Sequence, residues 1–184
     1  MIATVFAAQF LTMAGIDVVA NDPFIARRGP TLAVEYRPLP WLGFGALAGL
    51  YPNLGSMDWT KTMEDLVVNS QLSPDVSRIM SRERLAVHWH ALNTEIADLN
   101  TSVGVFAGGG LVQTLDDLEA VQATSRLARS TERQSHISMC WGITADVRKE
   151  YIGLRVRVEE ERYREDFDGA QESKVPLWFG ADLV

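Results

Sequence analysis

The chain holds a single cysteine, three histidines and no long hydrophobic run among its 184 residues. Cys140 alone can form neither an intrachain disulfide nor a thiolate metal cluster. No apolar stretch reaches the roughly 18 residues that a spanning helix requires, so the sequence gives no sign of a helical membrane protein. A strand that faces lipid needs an apolar residue only at every second position, so a mean hydropathy of −0.01 is compatible with a membrane β-barrel. Basic residues are also scarce. Against 24 Asp and Glu there are 17 Lys and Arg, a net charge of −7 with no basic tract, and this sets nucleic acid aside as a partner. Lys and Arg are missing altogether from Met1 to Ala14. That segment therefore lacks the basic start of an export signal; residues 1–9 are read as a signal remnant or periplasmic lead-in, with the true signal expected upstream. The length suits one domain, spanning 1–184.

What the chain does have is strict two-residue alternation, segment after segment. In 152–159, Ile152, Leu154, Val156 and Val158 share one face while Gly153, Arg155, Arg157 and Glu159 share the other. No helix sorts residues that way. Leu32, Val34 and Tyr36 oppose Ala33, Glu35 and Arg37; Leu85, Val87, Trp89 and Ala91 oppose Arg84, Ala86, His88 and His90. Ile137 to Asp146 and Val175 to Leu183 repeat the pattern, with Asp146 and Asp182 on the polar side. Glycine replaces charge on that side at Gly43, Gly45 and Gly49, and again at Gly104, Gly108 and Gly110. The segment Phe10 to Ala20 is the least regular.

Eight such segments, each about the 9–11 residues of a tilted spanning strand, predict an all-β fold: an eight-stranded antiparallel up-and-down transmembrane barrel. The links 2–3, 4–5 and 6–7 read as short, namely 38–40, the stretch around 93–100, and 148–150. The other four read as longer and charged. This asymmetry predicts an outer-membrane barrel with both termini periplasmic. Short helices are expected in the extracellular loops, one or two in Tyr51–Glu83 and a helical turn in Leu115–Gln134. Glu159–Lys174 reads as a projecting strand that turns at Asp168-Gly169.

Asn21-Asp22-Pro23-Phe24, Tyr51-Pro52-Asn53-Leu54-Gly55, Ser73-Pro74-Asp75 and the run Ile152 to Phe167 with its Glu165-Asp166-Phe167 ending together resemble small outer-membrane β-barrel domain proteins of myxobacterial type. The likeness extends from about residue 10 to the end. It implies a sealed barrel of OmpA-like architecture, mostly without assigned activity, with some relatives serving envelope machinery. The chain departs from the usual barrel ending, since it finishes in Val184 rather than an aromatic residue.

An eight-stranded barrel is just wide enough inside for side chains to fill, so lumen charges must pair. Glu35, Arg37, Arg84, His88, His90, Asp146, Arg155, Arg157, Glu159 and Asp182, with Asp17 beside them, are read as one such network. A gated ion path is the rival reading. His88 and His90 point the same way and offer two zinc ligands, but no third is identified by spacing, so no metal and no cofactor is expected. His136-Ile137-Ser138 resembles the His-x-Ser of lipid A deacylases, the enzyme alternative. Gly43-x-Gly45-x-x-Ala48 matches a loose dinucleotide pattern but sits inside a strand, where room for a large lumen neighbour explains it better. The acidic run Glu159 to Asp168 lacks calcium-loop spacing.

The function expected is that of a non-enzymatic, sealed barrel acting as an envelope scaffold or a membrane anchor. Its partners would be outer-membrane lipid and lipopolysaccharide, and other envelope proteins reached through the long loops. Met57, Trp59, Met63, Leu66, Val67, Leu72, Ile79 and Met80 carry more apolar surface than a solvated loop requires, and are read as a cap over the barrel mouth or a partner surface. A soluble lipocalin-like barrel, apolar inside and binding a small hydrophobic ligand, is the third alternative.

Overall fold

The structure, a computed structural model, describes residues 8–20, 28–53, 73–122, 125–150, 152–167 and 170–184. The alternating segments become β1 (Gln9–Val19), β2 (Arg28–Leu39), β3 (Leu42–Asn53), β4 (Ser73–Ile96), β5 (Leu99–Gln122), β6 (Ser125–Lys149), β7 (Ile152–Phe167), β8 (Ala170–Lys174) and β9 (Leu177–Leu183). β8 and β9 are two halves of one stave. They part at Val175-Pro176, where proline has no N–H to give the ladder, yet the Glu161 N–H still donates to the Pro176 carbonyl at 3.1 Å. Each stave runs antiparallel to its neighbours, β1 through β7 in chain order, and β9 pairs with both β7 and β1. Eight staves thus close on themselves as a barrel, which removes the exposed edges of an open sheet.

Burial follows the period-2 pattern with its sense inverted relative to a soluble barrel. The outward residues are apolar and exposed, as at Leu85, Trp89, Ile137, Ile143, Ile152 and Leu154, whereas Glu35, Arg37, Arg82 and Asp146 are buried inside. This is the arrangement of a membrane-spanning barrel. It removes the lipocalin-like alternative, because charge fills the interior where a hydrophobic ligand would need an apolar calyx. On β6 the outward series Ile137, Met139, Trp141, Ile143, Ala145 and Val147 extends about 33 Å along the strand. Tilted as barrel strands are, that matches an apolar band roughly 25 Å tall.

One end of the barrel has tight links. Residues 40–41 join β2 to β3, 150–151 join β6 to β7, and Ala97-Asp98 form a two-residue hairpin turn with φ of 51° and 63°. The β4–β5 link is tighter than the expected stretch around 93–100, because both strands stay paired to Ile96↔Leu99. A bulge at Ala91 interrupts them between His90 and Leu92. Gln9 and Val184 lie on this side too: Gln9 pairs with Arg37, and Val184 exchanges backbone hydrogen bonds with Gly153.

At the other end β4, β5 and β6 run on as strands of 24, 24 and 25 residues, far beyond what a bilayer needs. Two expectations are corrected here. The helical turn expected in Leu115–Gln134 is a hairpin paired up to Gln122↔Ser125, and 73–83 of the expected helical loop is strand β4, paired from Ser73↔Val121 onward. Leu, Glu and Ala give 115–129 a helical composition, but neighbouring strands already present a ladder for its N–H and C=O groups, and that pairing overrides propensity. The link between β5 and β6, expected to be long, shrinks accordingly to residues 123–124. β7 projects and turns back through β8, as expected; residues 54–72 and the turn at 168–169 lie outside the described residues.

Candidate functional site

The interior is built from residues of one parity along each stave, and the described charges within it balance. Among the described residues, Asp17, Glu35, Asp146, Glu159, Glu161 and Asp182 are buried there with Arg37, Arg82, Arg84, Arg148, Arg155 and Arg157, six carboxylates against six guanidinium groups. They form two layers.

The layer nearer the tight turns centres on Glu35 and Asp146. Arg37 Nε donates to Glu35 Oε1 at 2.7 Å and its Nη2 to Asp146; Arg155 bridges the same two carboxylates at 2.5 Å each. His90 Nε2 lies 2.8 Å from Glu35 Oε1, and Ser102 Oγ donates to Asp146 Oδ2 at 3.1 Å. Below them Arg148 reaches Gln9 Oε1 at 3.3 Å, close to the rim. The second layer centres on Arg82, which is wholly buried and donates to Asp17 Oδ2 at 2.8 Å, with Glu159 and Glu161 oxygens at 3.5 Å. Arg157 pairs with Asp17 and Asp182, Arg84 pairs with Glu159, and the Tyr51 hydroxyl donates to Asp17 at 2.9 Å. The Arg82 guanidinium also stacks 4.2 Å from the centroid of the Trp178 ring.

Between the layers His88 stacks on Phe106 at 5.2 Å, and a cavity beside it measures 10 Å³, about one water sphere. Above the second layer, Val19, Met80, Val112 and Tyr163 join Tyr51 and Trp178 in an apolar cluster across the lumen. Glycine is what admits the large groups. A Cβ on Gly45 would sit 2.7 Å from His88 Nε2, and one on Gly180 would sit 2.6 Å from Asp17 Oδ1. The expected role of the glycines in 43–49, room for a large lumen neighbour, is what Gly45 provides.

All ten residues read from the sequence as lumen-facing, and Asp17, are buried inside the barrel. Arg82, Glu161, Arg148 and Tyr51, which the alternation as read above does not include, are buried there as well. Each continues the parity of a segment already identified, so extending the alternation by one or two positions would have found them.

Glu35 supplies the acidic neighbour that spacing did not identify for His88 and His90, the ligand atoms of the three lying within 4.8 Å of one another. The geometry still opposes a metal ion. Glu35 already faces two guanidinium groups, and this layer holds Arg37, Arg155 and Arg148 against Glu35 and Asp146, so a divalent cation would add to a positive excess. His136 and Ser138 share the inward parity; Ser138 is 2 % exposed and its hydroxyl makes no hydrogen bond to His136, so the two do not form a nucleophile and base. Of the residues read as a cap or partner surface, Met57, Trp59, Met63, Leu66, Val67 and Leu72 lie outside the described residues. Ile79 is on the outer wall of β4, and Met80 is fully buried inside the barrel, so these two belong to a strand rather than to a loop surface.

No protein-family model and no curated protein matches the chain. Solved structures similar to it include Ail, the attachment invasion locus protein of Yersinia pestis, in complex with the heparin analogue sucrose octasulfate (12% identity, 97% of this chain and 99% of that one, TM-score 0.49). Others are a major outer membrane protein from Thermus thermophilus (14%, 97% and 100%, 0.49) and the N-terminal β-barrel domain of Pseudomonas aeruginosa OprF (8%, 95% and 98%, 0.41). The identities are low and the superpositions loose, so the functional reading rests on this chain's own side chains.

Proposed function

We propose that this chain is a bacterial outer-membrane barrel with a sealed lumen and no chemistry of its own, serving as an envelope scaffold or a membrane anchor for partner proteins. The observation that carries the reading is the neutral plug. Among the described residues, six cations and six anions fill the interior in two layers, and the cavity described between the layers holds about one water. An ion crossing it would have to displace a guanidinium or a carboxylate from a buried pair, at a cost of several kcal/mol. A site for a diffusible substrate needs hundreds of cubic ångströms, on the order of 300–1,000 Å³, and the cavity described between the two layers holds about one water. The tight turns and both termini are assigned to the periplasmic side, and the long β4–β6 wall to the outside, where the remaining surface for a partner is concentrated. Outer-membrane lipid and lipopolysaccharide surround the apolar wall in this reading.

Planar-bilayer recording on the purified protein tests it, with absence of stable single-channel currents as the expected result. Sizeable steady conductance would overturn the seal. Incubation with lipid A tests the enzyme alternative: no acyl chain should be lost, and loss that Ser138→Ala abolishes would overturn the non-enzymatic reading. A pull-down from native membranes, comparing the intact chain with one lacking residues 57–72, tests docking through the long loop; retention of every partner by the shortened form would end that proposal.

A further inference from the structure

Along the barrel wall, β6 and β7 begin as neighbouring staves and then come apart. They are paired from Lys149↔Ile152 up to Met139↔Arg162 and no further. Beyond that point β6 stays with β5 as far as Ser125, while β7 turns to a different partner, β8, from Tyr163↔Lys174 to Phe167↔Ala170. The divergence opens a notch in the wall, a cavity of about 770 Å³ bounded by β6 on one side and the β7–β8 hairpin on the other.

Its chemistry is two-sided. Among the described residues ten line it and none of these is Asp or Glu, in a chain whose net charge is −7. Arg162, Arg164 and Lys174 bring three cations; Ile137, Met139 and Val175 bring apolar surface, with Ile137 81% and Met139 64% exposed. Arg162 is partly neutralised by Glu160 at 2.8 Å and lies over the Trp141 ring at 4.8 Å, whereas Arg164 is exposed and has no ion pair among the described residues. The notch also sits at a step in the apolar band. The outward series of β7 turns from Val158 to Glu160 and Arg162 at the level where its partner residues on β6, Trp141 and Met139, are still apolar. Charge and hydrocarbon surface therefore meet at one height, as they do at the boundary between headgroups and acyl chains.

We propose that this notch binds a membrane lipid with an anionic phosphate headgroup, the phosphate held by Arg162, Arg164 and Lys174 and an acyl chain lying along Ile137, Met139 and Val175. Guanidinium groups suit phosphate because they can donate two parallel hydrogen bonds, and an opening of this volume accommodates a headgroup. The inference rests on the membrane-spanning reading above and adds to it one lipid site.

The test uses the full chain, refolded, delipidated in detergent, and offered equal amounts of phosphatidylglycerol and phosphatidylcholine, with native mass spectrometry as the readout. One phosphatidylglycerol should be retained per barrel in preference to phosphatidylcholine. Arg162→Gln and Arg164→Gln should each reduce that preference by about tenfold, the worth of one charge-assisted hydrogen bond. Inorganic phosphate at millimolar concentration should not displace the lipid. Heat-dependent gel mobility reports folding, and Arg164→Gln, at an exposed position outside the described ion pairs, keeps the test decisive if Arg162→Gln fails to fold. Equal retention of the two lipids, an unchanged preference in the Arg164→Gln form, or displacement by free phosphate would each overturn the site. Flotation with vesicles separates this failure from the broader one: a barrel that floats but shows no preference loses only the lipid site, and one that fails to float loses the membrane-spanning reading as well.

Discussion

Replacing Arg82 by methionine keeps most of the side-chain volume and removes the cation on which three carboxylates converge. The carboxylates are not affected equally. Asp17 keeps Arg157 and the Tyr51 hydroxyl, and Glu159 keeps Arg84, but among the described residues Glu161 has no ion pair except with Arg82. Arg82→Met therefore strands one buried carboxylate outright and weakens the setting of two more. Breaking a buried pair from one side costs about 3–5 kcal/mol. Glu161→Gln in the same background removes the stranded charge and should recover part of that loss, with a coupling in the range of about 1–3 kcal/mol. Urea titration of the barrel folded in lipid vesicles, followed by tryptophan fluorescence and by heat-dependent gel mobility, measures each form. A single variant within about 0.5 kcal/mol of the parent, or Glu161→Gln acting equally with and without Arg82, would refute the charge-balanced plug.

Gly180→Ala should destabilise the barrel by roughly 1–3 kcal/mol in the same titration, because its Cβ must displace Asp17 or Arg157 from their pair. Ala97→Gly should stabilise it by about 0.5–1 kcal/mol, since Ala97 occupies the left-handed region at φ 51°, a conformation that glycine adopts without steric cost; a lower urea midpoint would contradict this. Purified protein should carry no stoichiometric zinc by elemental analysis, and chelator should leave its unfolding midpoint unchanged, because the Glu35 carboxylate is held by Arg37 and Arg155.

The fold was legible in this sequence wherever the outer face met lipid. There the alternation is uninterrupted, as in Ile152 to Glu159, and it identified both the staves and the residues turned inward. It failed where the strands leave the membrane band. Beyond that level the outward positions no longer need to be apolar, so 73–83 and 115–134 lose the period-2 signal and show a composition that suits helix, while the pairing that makes them strands comes from neighbours distant in sequence. The same loss hid Arg82 and Glu161, which lie inside at the edge of the regular stretch. The notch between β6 and β7 had no local signature, because it arises from a change of partner along β7 rather than from any residue in it.

The odd-numbered residues of β6 from Ile137 to Val147 face hydrocarbon in this barrel. With the lone Cys140 changed to alanine, single nitroxide labels at Met139, Ile143 and Val147, and at Ser138, Thr144 and Asp146 for comparison, can be read for collision with oxygen and with a water-soluble nickel chelate in lipid vesicles. High oxygen and low nickel access are expected at the first three positions, and little of either at the second three. High nickel access at Ile143, in the middle of the band, would contradict this placement.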